Sequence, residues 1–308
     1  MPNNKTTAAQ VAFPPRLVTE MFDAVRGHSS LAKLCAAKPM PFSGIKEFVF
    51  TMDGEAEIVG ESGQKSPNDA LFTPVTITPV KFIYQHRVTD EFRYMSDEER
   101  VPYLRAFADG FAKKIARGFD IAAFHGINPK AGTASAVVGT NHFDSKVSTT
   151  VTYTSGTTAA DDALESAVAA VTGADRAVSG FALSHLFSGY MAAIKNSGVA
   201  MYPEFRFGGA PATFAGYDLD VNGTVNKKIS SATTRDLAIV GDFANAFRWG
   251  YAKNIPIEII EFGDPDGQGD LKRTNEIVLR SEAFIGWGIL DAASFVRITD
   301  TVTAGQTS

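Results

Sequence analysis

The chain has almost no cysteine: Cys35 stands alone among 308 residues. A lone thiol excludes an internal disulfide and a multi-cysteine zinc site, and it fits synthesis in a reducing compartment. Long apolar runs are missing as well. No stretch of about 18 apolar residues occurs, which excludes a membrane-spanning helix. Met1–Gln10 is polar and lacks the apolar segment of a secretory signal. Positive charge is in deficit: 29 Lys and Arg against 34 Asp and Glu leave a net charge of -5. That excludes a protein that grips nucleic acid with a basic surface, but not one that surrounds it.

Motifs that carry chemistry are also lacking. The five histidines, His28, His86, His125, His142 and His185, form no His-Glu-x-x-His and no pair at ligand spacing on one helix. There is no Gly-x-Ser-x-Gly elbow, no Walker loop and no Gly-x-Gly-x-x-Gly. Asn222-Gly223-Thr224 matches a glycosylation acceptor but reads better as a turn. Asp264–Asp270 is acidic enough to suggest calcium. An EF-hand aligned from Asp264 nevertheless meets Gln268 and Asn275 where it needs acids, so the segment reads as a turn between strands. The sequence therefore predicts no catalytic, cofactor-binding or metal residues and no cofactor.

What is present is ordinary for a folded protein: 44% hydrophobic and 20% charged residues, enough chain for a sizeable core. Phe13-Pro14-Pro15 and Lys38-Pro39-Met40-Pro41 bracket an arm with a short helix around Leu17, Met21, Ala24 and Val25. Ile45–Met52 reads as one strand, and Val80–Val88 alternates as a second whose early part Pro74 and Pro79 confine to an edge. Between them Asp53–Asp69 carries five acids against Lys65, with Gly54, Gly60 and Gly63, and predicts a long solvent-facing excursion. Ser96-Asp97-Glu98-Glu99 is a capping box that opens a helix. Val101, Leu104, Ala108, Phe111, Ile115, Phe119 and Ala122 recur at helical spacing to Phe124, roughly 28 residues and about 40 Å. Pro102 predicts a kink or a separate leading helix. A Gly/Ser/Thr-rich loop follows, with a strand near Val147–Tyr153. Further on come helices over Asp161–Val171 and His185–Lys195, and strands at Phe181–Leu183, Leu237–Gly241, Ala246–Tyr251, Pro256–Phe262, Glu276–Ser281 and Val296–Ile298. The class is α+β, without a βαβ rhythm.

The order of these parts resembles the major capsid proteins of tailed bacteriophages with the Hong Kong 97-type fold. The arm matches in position, Asp53–Asp69 looks like the extended E-loop, and Ser96–Phe124 looks like the spine helix of the peripheral domain. Tyr190–Tyr202, with Lys195, Gly198 and Pro203, looks like the axial-domain helix and turn. The C-terminal succession is the most specific part: Gly241-Asp242-Phe243, then Asn275-Glu276-Ile277-Val278-Leu279-Arg280, then Gly286-Trp287-Gly288 and a closing apolar stretch. The resemblance implies an arm at 1–44, the E-loop with flanking β segments at 45–88, and a peripheral domain at 89–160 with its spine helix at 97–124. It further implies an axial domain at about 161–270 and return strands of the peripheral domain with a tail at 271–308.

The implied function is structural: self-assembly into pentamers and hexamers of an icosahedral shell enclosing double-stranded DNA, without sequence-specific binding. The implied place is the virion, after assembly in the host cytoplasm. Scaffolding, portal and decoration proteins are the further partners, and no fused scaffolding segment is expected in the chain. Covalent cross-linking through Lys65 is not expected. Glu55, Glu57, Glu61 and Lys65 of the loop, and Arg100, Arg105, Lys113 and Arg117 of the helix, are the candidate intersubunit contacts. An encapsulin-type bacterial compartment shell shares this fold and stays open as an alternative, as does an enzyme with an unrecognised site.

Overall fold

The stripe Ala108, Phe111, Ile115, Phe119 and Ala122 is buried along one long helix in the computed structural model, which describes residues 28–52, 56–65, 67, 70–226, 234–253 and 257–301. In chain order the elements begin with α1 (Ser30–Leu34), β1 (Ile45–Met52), β2 (Ala70–Ile77), β3 (Val80–Thr89), α2 (Asp97–His125), α3 (Phe143–Lys146), β4 (Thr150–Tyr153) and α4 (Ala160–Thr172). Then follow β5 (Gly180–Leu183), α5 (His185–Ala193), β6 (Lys195–Asn196), β7 (Val199–Ala200), β8 (Thr213–Phe214), β9 (Tyr217–Val221), β10 (Thr234–Gly241), β11 (Phe247–Lys253), β12 (Ile257–Ile260), α6 (Leu271–Thr274), β13 (Glu276–Ile289) and β14 (Phe295–Thr301). The mixed helix-and-sheet class is as expected.

Two sheets organise two cores. In the first, β13 pairs with β3 along one edge and with β11 and β12 along the other. Helix α2 lays its apolar face on this sheet, with the Phe119 ring 5.1 Å from Trp249 and 5.6 Å from Trp287. In the second, six strands run in the order β4-β14-β10-β5-β9-β8. Helices α4 and α5 cover it through Leu164, Ala167, Val171, Phe187 and Met191, all buried. Phe143 sits between elements of the first core, 5.5 Å from Phe124, 5.6 Å from Phe247 and 5.0 Å from Phe295.

Several expectations are corrected. Residues 45–52 do form a strand, but the second β segment, expected as one strand, is two: Ala70–Ile77 pairs with β1, and Val80–Thr89 leaves for β13 after the break at Thr78-Pro79. Helix α2 continues through Pro102 without splitting; the proline sits in its second turn and forgoes one amide hydrogen bond there. Ser96 takes the extended N-cap conformation, while the Glu99 side chain lies outside the described residues. Val101 is exposed and Leu104 only half-buried, so the stripe is a core face from Ala108 onward. Helix α5 ends at Ala193 rather than Lys195: Ser197 (φ 50°) and Gly198 (φ 88°) make a tight turn that pairs β6 with β7. The closing strand β14, expected with the 271–308 return strands, lies in the six-stranded sheet between β10 and β4. The arm helix expected around Leu17–Val25 lies outside the described residues.

After α1 the chain runs as a strap along β11. Lys38 N–H donates to the Trp249 carbonyl (2.9 Å) and Met40 N–H to the Tyr251 carbonyl (3.2 Å). Pro39 and Pro41 take the alternate positions, where no donor is required. The Trp249 indole N–H donates to the Cys35 carbonyl at 2.8 Å and anchors the start of the strap.

Candidate functional site

The root of the β1–β2 hairpin is held to the first sheet by Ile77 and Val75 against β13 and by an ion pair of Glu47 with Arg248 of β11. Its antiparallel register runs from Ile45 opposite Ile77 to Met52 opposite Ala70. Ile77 is fully buried against Gly286 and Gly288 of β13, where the missing side chains leave room for it and for Met40. The opposite face presents Phe48, 65% exposed, and Phe72, 64% exposed. Beyond the strands Ile58 is wholly exposed. Glu57, Glu61 and Lys65 are exposed on the same excursion, and Glu55 lies outside the described residues. Two largely exposed phenylalanines on one face of a two-stranded ribbon make an apolar surface patch.

The helix cations stand elsewhere. Arg105, Lys113 and Arg117 are exposed on α2, opposite its buried stripe; Arg100 belongs to the helix, but its side chain lies outside the described residues. Among the described residues no ion pair joins Glu61 to Lys113 or Arg117.

Two buried polar networks escaped the sequence reading. In the first, Asp120 is fully buried on α2 and accepts from Ser29 Oγ, the Ser30 amide (2.9 Å) and Thr224 Oγ1 (2.9 Å). Burial pushes its carboxyl up to about 6 against the pull of those donors. In the second, His125 at the end of α2 meets Asp144 of α3, Asp236 of β10 and Arg297 of β14. Burial and the neighbouring Asp144 push the Asp236 carboxyl up. One signal was available: Asp120 interrupts the apolar run of Ala116, Phe119, Ala122 and Ala123. The second network has none, because its members are scattered from position 125 to position 297.

The acidic turn is occupied from within. Arg87 of β3 donates to Asp266, to Glu276 (2.7 Å) and to the Gly269 carbonyl (2.8 Å), and Asp264 lies 3.4 Å away. Hydrogen bonds from Arg87 hold the Asp266 carboxyl down at about 2. Asp270 then caps α6 through the Lys272 and Arg273 amides. A recess of about 280 Å³ between β2 and residues 137–141 offers threonines, Asn141 and Lys146, with no acid among its lining residues. Among the described residues no helix is long and apolar enough to cross a membrane.

No curated protein matches the chain. Among solved structures, one from Mycobacterium phage Ogopogo is 33% identical, covers 89% of this chain and 92% of its own, and superposes with a TM-score of 0.76. One from Gordonia phage Cozz is 24% identical over 90% of this chain and 87% of its own, with a TM-score of 0.73. The capsid of a native GTA particle, computed with C5 symmetry, shares the fold at 16% identity and a TM-score of 0.62, covering 89% of this chain and 90% of its own. With the phage capsid family matched over residues 9–300, the chain belongs to that family and is a structural major capsid protein.

Proposed function

We propose that the chain tiles an icosahedral shell as pentamers and hexamers around double-stranded DNA, with the β1–β2 hairpin as the arm that reaches a neighbouring copy. The observation that carries this is the exposed Phe48–Phe72 face on a two-stranded ribbon. In this reading residues 45–88 are the E-loop region, α2 with β3, β11, β12 and β13 is the peripheral part, and the six-stranded sheet with α4 and α5 is the axial part. Glu57 and Glu61, together with Glu55, meet Arg105, Lys113, Arg117 and Arg100 of an adjacent subunit, with Lys65 at the edge of the contact. Each exposed pair contributes little alone, and repetition by symmetry makes a stable shell from weak contacts. A net charge of -5 suits a wall that encloses DNA without holding it. Assembly takes place in the host cytoplasm, with scaffolding, portal and decoration proteins as further partners.

Negative-stain electron microscopy of the chain expressed alone tests the reading: closed shells or capsomer rings are expected, and a persistent monomer overturns it. The double substitution Glu57→Lys and Glu61→Lys tests the contact. It hinders assembly while the subunit keeps its wild-type circular dichroism; normal shells from this variant would sink the pairing.

A further inference from the structure

Where α2 ends, His125, Asp144 and Asp236 converge in the interior. Their side chains are 2%, 8% and 4% exposed. The His125 Nε2–H donates to the Thr224 carbonyl at 3.0 Å, and since a carbonyl only accepts, this bond fixes which nitrogen carries the proton. Nδ1 is left facing Asp144 Oδ2 at 3.1 Å and Asp236 Oδ2 at 3.6 Å. Arg297 engages the other oxygen of each carboxylate, Asp144 Oδ1 at 3.0 Å and Asp236 Oδ1 at 3.1 Å. One ring nitrogen and two carboxylate oxygens, all within 4.8 Å of one another, therefore point at a common centre.

Two carboxyls crowd one guanidinium, burial and the neighbouring Asp144 disfavour ionisation of Asp236, and Asp236 Oδ2 is buried without a hydrogen-bond partner. An orphaned buried carboxylate oxygen is costly, so the site calls for something positive. A proton on Nδ1 or on the Asp236 carboxyl balances the charge, but it bridges two of the three atoms and leaves the third unserved. A cation at the centre serves all three atoms at once.

We propose that His125 Nδ1, Asp144 Oδ2 and Asp236 Oδ2 bind a divalent transition-metal ion of the zinc class. Ligands about 2.0–2.2 Å from a tetrahedral ion stand about 3.3 Å apart, close to the two measured separations. Imidazole and carboxylate are donors that zinc accepts. The surroundings are those of a supported metal site: the second ring N–H goes to a backbone carbonyl, and a guanidinium steadies the remote oxygen of each carboxylate. The ion would brace the end of α2 to α3 and to β10, joining the two cores.

The test is metal analysis of the purified full-length chain, produced with zinc in the growth medium and kept free of chelators. About one zinc ion per subunit is expected to survive gel filtration, and EDTA is expected to lower the unfolding midpoint. Cobalt replacement is expected to give the visible absorption of four-coordinate cobalt. Asp236→Asn keeps the Asp144–Arg297 pair and is expected to lose at least about nine-tenths of the metal and the EDTA effect. The proposal is overturned if wild-type protein holds less than about a tenth of an ion per subunit after zinc is added back and gives no cobalt band. It is equally overturned if Asp236→Asn keeps the full complement. Should that variant fail to fold, the metal content and cobalt spectrum of the wild-type chain decide alone.

Discussion

Asp120 Oδ2, on the long helix, accepts a hydrogen bond from the Ser30 amide 2.9 Å away and 90 positions earlier in the chain. Its other oxygen takes Ser29 Oγ, and Thr224 Oγ1 closes the set. One buried carboxylate therefore supplements the N-cap of α1 and fastens it to α2 and to the 222–226 turn. Ser30 Oγ and Lys33 extend the same attachment to Asp220.

Burial raises this carboxyl from 3.8 to about 6, so the folded chain binds the Asp120 proton more tightly than the unfolded chain does. The stability this group contributes is then fully present below about pH 4, falls as pH rises toward 6, and is flat beyond. Asp120→Asn removes the titration. Denaturant unfolding of both proteins from pH 4 to pH 7 should show the wild-type advantage shrinking by up to about 3 kcal/mol. A difference that does not change with pH would contradict the assignment.

Cys35 is buried, and desolvation pushes its thiol up to about 11. Little thiolate exists at pH 8, and reagent access requires opening of the strap that follows. A disulfide reagent should therefore label Cys35 slowly in the folded protein and at once in denaturant. Rapid native labelling would mean that α1 and the strap detach readily.

Where elements could be read from the sequence, the reason is local. The spacing of Ala108, Phe111, Ile115, Phe119 and Ala122 marks a helix face whatever it packs against, and the Ile45–Met52 strand is bounded by Gly44 and the acidic run. Where reading failed, the cause lies in distant partners. Pro74 marked an edge, and both strands of a two-stranded hairpin are edges, but nothing local showed that Ala70–Ile77 and Val80–Thr89 would part for different partners. The strand expected over Glu276–Ser281 runs on to Ile289 through Gly286 and Gly288, above which Met40 and Ile77 fill the space. Phe143, at the centre of an aromatic cluster, sits in a four-residue helix too short to show a period. Of the candidate contacts, exposure of Glu57, Glu61, Arg105, Lys113 and Arg117 followed from charge and spacing. The Phe48–Phe72 face did not, since it depends on the register that sets Phe72 opposite Phe50.

Gly250 lies where the strap crosses β11, and a Cβ there would run into the Lys38 carbonyl oxygen. That obstacle is backbone and cannot rotate away. Gly250→Ala should break the Lys38–Trp249 and Met40–Tyr251 hydrogen bonds, costing about 2–4 kcal/mol and speeding amide exchange at Lys38 and Met40. Gly110, exposed within α2, has nothing near its absent side chain. Gly110→Ala should stabilise by about 0.5–1 kcal/mol, the ordinary helix preference for alanine. Opposite signs for the two substitutions would tie the loss at position 250 to the strap rather than to alanine itself.

Arg87 sets the shape of the acidic turn. Its guanidinium is shared by Asp266, Glu276 and the Gly269 carbonyl, and it holds the Asp266 carboxyl at about 2. A depressed carboxyl contributes stability that is present above about pH 4 and lost as pH falls toward 2. Arg87→Gln should therefore loosen the turn at neutral pH, where three carboxylates would repel one another, and should matter progressively less in acid. Limited proteolysis within residues 263–270 reads the loosening, and thermal unfolding of variant and wild type at pH 7, 4 and 3 reads the sign. Calcium should protect the variant turn from proteolysis and leave the wild type unaffected, because only without the guanidinium are Asp264, Asp266 and Glu276 available to an added cation. Protection of both proteins alike would show that Arg87 does not fill the turn.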